Sequence, residues 1–160
     1  MGVWTWLERY DVPIDGPSEP APRAELRARL LRAYYEDEGA PRPTAVIDTH
    51  RGWHALHVAL TGSEDGGEPP AADVMGVTPE TFHDWDEVRW PDEVRRIACY
   101  LDEVCFEDAL FTLRTASDQG VYVYSEEMWN DEALRRVFDD VRAFYSDAAR
   151  RGQIVALHRR

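Results

Sequence analysis

The feature that most constrains this chain is the stretch from Ser125 to Arg151. There Leu134, Val137, Val141, Phe144, Tyr145 and Ala148 recur at the three- and four-residue spacing of one helix face. A long helix with a single apolar stripe must bury that stripe against another layer of the fold. Ser125 followed by acids supplies an N-terminal signal, and Arg150, Arg151 and Gly152 suit a C-terminal end. Ile154 to His158 then reads as a final strand.

The remaining segments can be placed around that helix. Val3 to Tyr10 mixes aromatic and β-branched residues and reads as a strand. Pro13 to Pro22 is a proline-rich loop, and Ala24 to Glu36 has helical spacing through Leu26, Leu30, Ala33 and Tyr34. Thr44 to Ile47 is extended and leads into a helix around Trp53 that stops at Thr61-Gly62, where glycine can take the left-handed cap conformation. Ser63 to Ala72 reads as a polar, mobile surface loop. Asp92 to Leu113 makes one or two helices with Val94, Ile97, Ala98 and Leu101 on the buried face, and Val121 to Tyr124 is a strand. This order predicts an α+β fold: one domain over residues 1–160, with a small mixed sheet packed against several helices.

Charge limits the partners. The 31 acids outnumber 18 bases, all of them Arg, for a net charge of -13. Such a surface argues against nucleic acid and anionic membranes, because neutralising phosphates requires basic groups. It favours a basic protein partner, drawn in by electrostatic steering. The N-terminal residues lack the basic and apolar regions of a signal peptide, and no run is long and apolar enough to span a membrane, so the expected location is the cytoplasm. Cys99 and Cys105 have no metal or redox spacing and are expected on a buried helix face as inert thiols.

Chemistry concentrates between Asp48 and Gly62. His50, His54 and His57 stand at i, i+4 and i+7, which on a helix would put three imidazoles on one face and allow a metal site using His50 and His54 beside Asp48. The sequence H-R-G-W-H lacks the glutamate that follows the first histidine in zinc proteases, so that mechanism is excluded. The alternative places His57 between Trp53 and Leu60 as a buried structural residue, with Asp48 as an N-terminal cap or dipole partner. Trp85 and Trp90, near His83, would wall a pocket or cover the sheet edge. No nucleophile elbow or phosphate loop is present, no catalytic set is complete, and no cofactor is implied.

Three motifs occur in order: Asp48, Trp53, Leu56, His57, Leu60, Thr61 and Gly62; then Val123-Tyr124; then Phe144-Tyr145, Ala148-Ala149 and Gly152. Together they resemble the YfbM-like family, small bacterial proteins grouped as a domain of unknown function, over residues 44–160. His50 stands where that family usually has Asp, Arg51 where it has Lys, and Ser125 where it has Pro. The resemblance implies a single-domain α+β fold and carries over no catalytic residues. Trp53, His57, Asp48, Trp85 and Tyr124 are therefore expected as structural or pocket-lining residues. The expected activity is non-catalytic binding, for instance an immunity-like protein that neutralises a basic partner; the alternative is a metal-dependent protein built on Asp48, His50, His54 and His57.

Overall fold

The computed structural model describes residues 4–11, 42–50, 52–78, 85–116 and 130–160, together with Glu25, Arg27 and Ala28; Arg51 is outside this set and Trp85 is described by its backbone alone. The elements are β1 (Thr5–Tyr10), β2 (Ala45–Asp48), α1 (Gly52–Thr61), α2 (Ala71–Met75), β3 (Trp85–Arg89), α3 (Pro91–Glu103), α4 (Phe106–Ala116), α5 (Asp131–Arg151) and β4 (Ile154–Arg159). The loop expected over 13–22 and the strand expected at Val121–Tyr124 lie outside the described residues. Of the helix expected over 24–36, Glu25, Arg27 and Ala28 are helical and exposed.

The strands form one sheet in the order β2-β1-β4-β3. The α+β class is as expected, and every pairing among the described residues is antiparallel where a mixed sheet was expected. The register shows why. Arg9, late in β1, pairs with Ala45 at the start of β2, and Arg89 at the end of β3 pairs with Val155 near the start of β4. Each long excursion thus returns the chain to the sheet end it left, where a parallel pair would require crossing to the far end.

β4 is buried along its whole length because both of its faces are covered. On the inner face Val155 and Leu157 join Leu7, Trp53, Leu56, Leu101, Leu134, Phe138 and Tyr145 in the main core. The stripe of α5 is buried as its spacing predicts, with Phe138 added. The helix begins later than Ser125, however. Asn130 is the cap, its side chain accepting the Ala133 amide at 2.9 Å. A cap-type residue followed by two acids occurs at both places in the sequence, and only the second stands one residue before the helix.

Two other expectations change. Ala71 and Ala72 open a short helix, α2, that buries Val74 and Met75 and ends on Gly76 in the left-handed conformation. A helix of one turn is too short to leave a periodic signal. Cys99 and Cys105 are exposed rather than buried. On α3 the buried face is Val94, Ile97, Ala98 and Leu101, and Cys99 lies about 200° around the helix from both Ile97 and Leu101. Cys105 falls in the break between α3 and α4, its thiol facing Glu107 at 3.3 Å.

Candidate binding face and the buried histidines

The three-histidine segment does not form one cluster. The chain turns before α1 begins: the His50 amide donates to Asp48 Oδ1 at 2.6 Å, His50 has φ of 50°, and Gly52 N–H reaches the Thr49 carbonyl at 2.9 Å. His50 therefore precedes the helix, exposed, with its ring edge against Trp4 at 5.7 Å. Asp48 closes the turn that precedes α1. His54 and His57 are buried within α1. Among the described residues no three His, Cys, Asp or Glu side chains converge closely enough to hold a metal ion.

On the inner side, α1 presents Trp53, His54 and His57 to the core. His54 Nε2 lies 2.9 Å from the Glu64 carbonyl, tying the start of the segment after α1 to the helix, while Asp65, Gly67, Glu68 and Pro69 are exposed as expected of a polar surface loop. The Arg159 guanidinium stacks over Trp53 at 4.2 Å, donates to Thr5 Oγ1 at 3.1 Å and donates to the Met75 carbonyl at 2.7 Å. Burial pushes the Arg159 pKa down to about 10, partly countered by Glu87, and leaves the group charged at neutral pH. His57 is fully enclosed. Burial, with His54 and the Arg159 cation nearby, pushes its pKa down to about 3. Its ring is thus neutral, and neither nitrogen makes a well-formed hydrogen bond among the described residues.

The outer face of the sheet is built from the alternate positions. Register places Asp48, Trp6, His158 and Asp86 in one row across all four strands, and Val46, Glu8, Ala156 and Val88 in the next. His158 is buried in this row, stacked against Trp6 at 5.3 Å. Its Nδ1 lies 2.8 Å from Asp86 Oδ1 and its Nε2 lies 3.3 Å from Glu8 Oε2. Burial opposes a charge here, but the bonds to Asp86 and Glu8 outweigh it and raise the His158 pKa. Burial likewise opposes ionisation of the two acids, and His158, helped by Tyr10 and Trp6 on Glu8 and by Arg160 on Asp86, holds both below their usual range. Arg160 Nη2 donates to Asp86 Oδ2 at 2.7 Å, and the Tyr10 hydroxyl donates to Glu8. With both imidazole nitrogens directed at carboxylates, the arrangement suits holding a cation in place better than moving a proton.

Toward β2 this face opens to solvent. Trp4 is 45% exposed and Val46 is 52% exposed, with the exposed Asp48 in the row between them, while Glu8 is half-buried in the His158 lattice. At the opposite end Trp90 packs with Tyr10, Val88, Ile154 and Ala156, so it covers the sheet. Trp85 pairs with Arg159 at the start of β3. His83 and Tyr124 lie outside the described residues. A larger groove of about 560 Å³ between α2 and α3 is lined by both acids and bases, including Asp73, Asp92, Arg95 and Arg96 beside Cys99. Its mixed charge gives no preference for one sign of ligand.

The sequence profile of the family described as Domain of unknown function (DUF1877) matches residues 20–158. The chain belongs to that family. The DUF1877 fold is also seen in the crystal structure of a protein of unknown function, YfbM, from Escherichia coli. That structure matches with a TM-score of 0.59 at 13% identity, covering 96% of this chain and 98% of its own. No curated protein matches. Family membership agrees with the order of the motifs at Asp48–Gly62 and Phe144–Gly152, and it assigns no activity. No helix among the described residues is long and apolar enough to cross a membrane.

The residues that sequence reading passed over are Trp4, Glu8, Val46, Asp86 and His158. The alternation of Trp4, Trp6, Glu8 and Tyr10 on one strand face was a usable signal for two of them, Trp4 and Glu8. Nothing local links His158 to Glu8 and Asp86, since sheet register alone brings them together.

Proposed function

We propose that this DUF1877 protein is a non-catalytic binding module of the cytosol that takes a basic protein partner on the outer face of its sheet. The observation that carries this reading is the pair of exposed apolar side chains Trp4 and Val46, with the exposed carboxylate of Asp48 in the row between them, on a chain of net charge -13. Aromatic area next to a carboxylate suits Arg and Lys side chains, which can stack on the indole and pair with the acid together. Long-range attraction from the acidic surface would speed encounter with such a partner. An immunity-like role, in which the protein neutralises a basic toxin, is one form of this activity.

Copurification from the native host, followed by titration calorimetry at rising salt, tests the reading. The expected result is a stoichiometric basic partner whose affinity falls with ionic strength and drops at least about tenfold in Trp4→Ala, as for an interface aromatic anchor. Salt-independent binding, or full affinity in Trp4→Ala, would refute it.

A further inference from the structure

The hydrogen-bond phase of the sheet determines which backbone groups β2 leaves open. The amide of Trp4 donates to the Arg160 carbonyl at 2.6 Å, and the amide of Arg160 donates back at 3.0 Å. In an antiparallel ladder the bonded pairs recur every second residue, so Trp6 and Glu8 also bond toward β4. The odd-numbered residues of β1 then bond toward β2, as the Thr49 amide on the Thr5 carbonyl at 3.0 Å shows. On β2 it follows that Ala45 and Ile47 spend their amides on β1, while the N–H and C=O of Val46 and Asp48 point away from it. β2 ends the sheet among the described residues, so this row of backbone groups lies along an open edge.

The edge also has a wall. A groove of about 290 Å³ runs between β2 and α5, with Ala45, Ile47 and Phe144 among its apolar lining. Asp140 and Asp147 stand on its helix side. Asp147 is taken by Arg9, Arg150 and Arg151, whereas Asp140 is exposed and has no ion pair among the described residues. A strand laid along β2 would alternate its side chains between this groove and the Trp4–Val46 face. Apolar groups would suit the groove and cationic ones the outer face.

We infer that β2 receives an extended segment of the basic partner as a fifth strand of the sheet, apolar side chains entering the β2–α5 groove and basic ones lying against Trp4 and Asp48. The inference rests on the binding function proposed above and supplies its mode. Backbone pairing at a sheet edge gives such a complex its affinity, and the side-chain alternation gives it selectivity. Charge complementarity chooses this occupant over a second copy of the chain, because two copies at net charge -13 repel.

The probe is a short peptide alternating arginine and valine, with two derivatives N-methylated at alternate residues, one in each frame. Binding is read by fluorescence anisotropy, and the Val46 and Asp48 amides are followed by hydrogen exchange. Strand addition predicts that one methylated frame loses at least about tenfold in affinity while the other binds nearly as the parent, since only alternate amides face β2. It also predicts slowed exchange at Val46 and Asp48, and loss of binding in Val46→Pro, whose missing N–H is not one that β1 uses. The methylated peptides keep the test valid if Val46→Pro fails to fold. Equal binding of both frames overturns strand addition and leaves an acidic surface that attracts basic peptides. Absence of salt-dependent binding by any of the peptides overturns both proposals. Self-association of the free protein that Val46→Pro abolishes would assign the edge to a second copy and overturn the inference.

Discussion

The two faces of the sheet each bury a histidine, and they treat it in opposite ways. His57 faces the helices beside the Arg159 cation, with no carboxylate among the described residues to balance a proton, and is held neutral. His158 is nearly as enclosed but lies between Glu8 and Asp86, which raise its pKa. Burial disfavours the imidazolium in both places, so the neighbours decide the outcome. The inner face is a packed support in which a histidine serves as a bulky polar filler. The outer face carries a charge lattice that stays ordered up to the point where it opens at Trp4 and Val46.

Removing bulk should separate the faces most strongly. Trp53→Ala is expected to cost about 3–5 kcal/mol in chemical denaturation, as for a buried aromatic deleted from a core. A loss below about 1 kcal/mol would mean that Arg159 and α1 do not depend on that ring. Acid should then single out His57. The unfolded chain binds a proton on this residue near pH 6.5, whereas the folded protein resists it down to about 3, so the contribution is present above 6.5 and lost as pH falls. The slope approaches about 1.4 kcal/mol per pH unit within that window. His57→Leu should flatten this limb of a stability–pH profile relative to the parent while changing neutral stability by under about 1.5 kcal/mol. An unchanged limb would show that His57 takes up its proton without unfolding.

The outer face should respond with the opposite sign. The raised pKa of His158 makes its contribution complete below about 6.5 and lost as pH rises through the folded value. Glu8 and Asp86, both lowered, contribute above their unfolded pKa values and lose that contribution toward acid. Asp86→Asn should cost about 1–2 kcal/mol near pH 6, in the range of a hydrogen bond to a charged group. The deficit should narrow at alkaline pH without vanishing, because Arg160 also binds Asp86 and does not titrate there. A deficit independent of pH would mean that His158 is not the charged partner. Smallest of all, Trp4→Ala should leave thermal stability within about ±0.5 kcal/mol, as for an exposed site, even though it removes the proposed binding anchor. A larger loss would mark Trp4 as part of the fold's support.

Sequence reading reached the inner face far better than the outer one. The stripe from Leu134 to Ala148 and the buried Trp53 and His57 follow from helical periodicity, which acts within a few residues. The same reasoning failed for His50 because it carried the helix around Trp53 back as far as His50, while the Asp48 turn delays the first helical residue to Gly52. The thiol of Cys99 was misplaced although the buried positions around it were read correctly; its angle from Ile97 and Leu101 already pointed outward. The His158 lattice is a different case. Its acids lie 150 and 72 positions away along the chain (Glu8 and Asp86), and only the pairing of β1, β4 and β3 makes them neighbours. Long-range register is not a property of any local window.

The sheet order also has a consequence for how this chain emerges from the ribosome. The strand translated last of the four, β4, occupies an interior place between the first and the third. Until Ile154–Arg159 clear the exit tunnel, β1 and β2 can zip together, but β3 has no neighbour among the described strands to join. Synthesis halted before that point would leave two unlinked halves and bare apolar edges, the kind of nascent species that chaperones shelter.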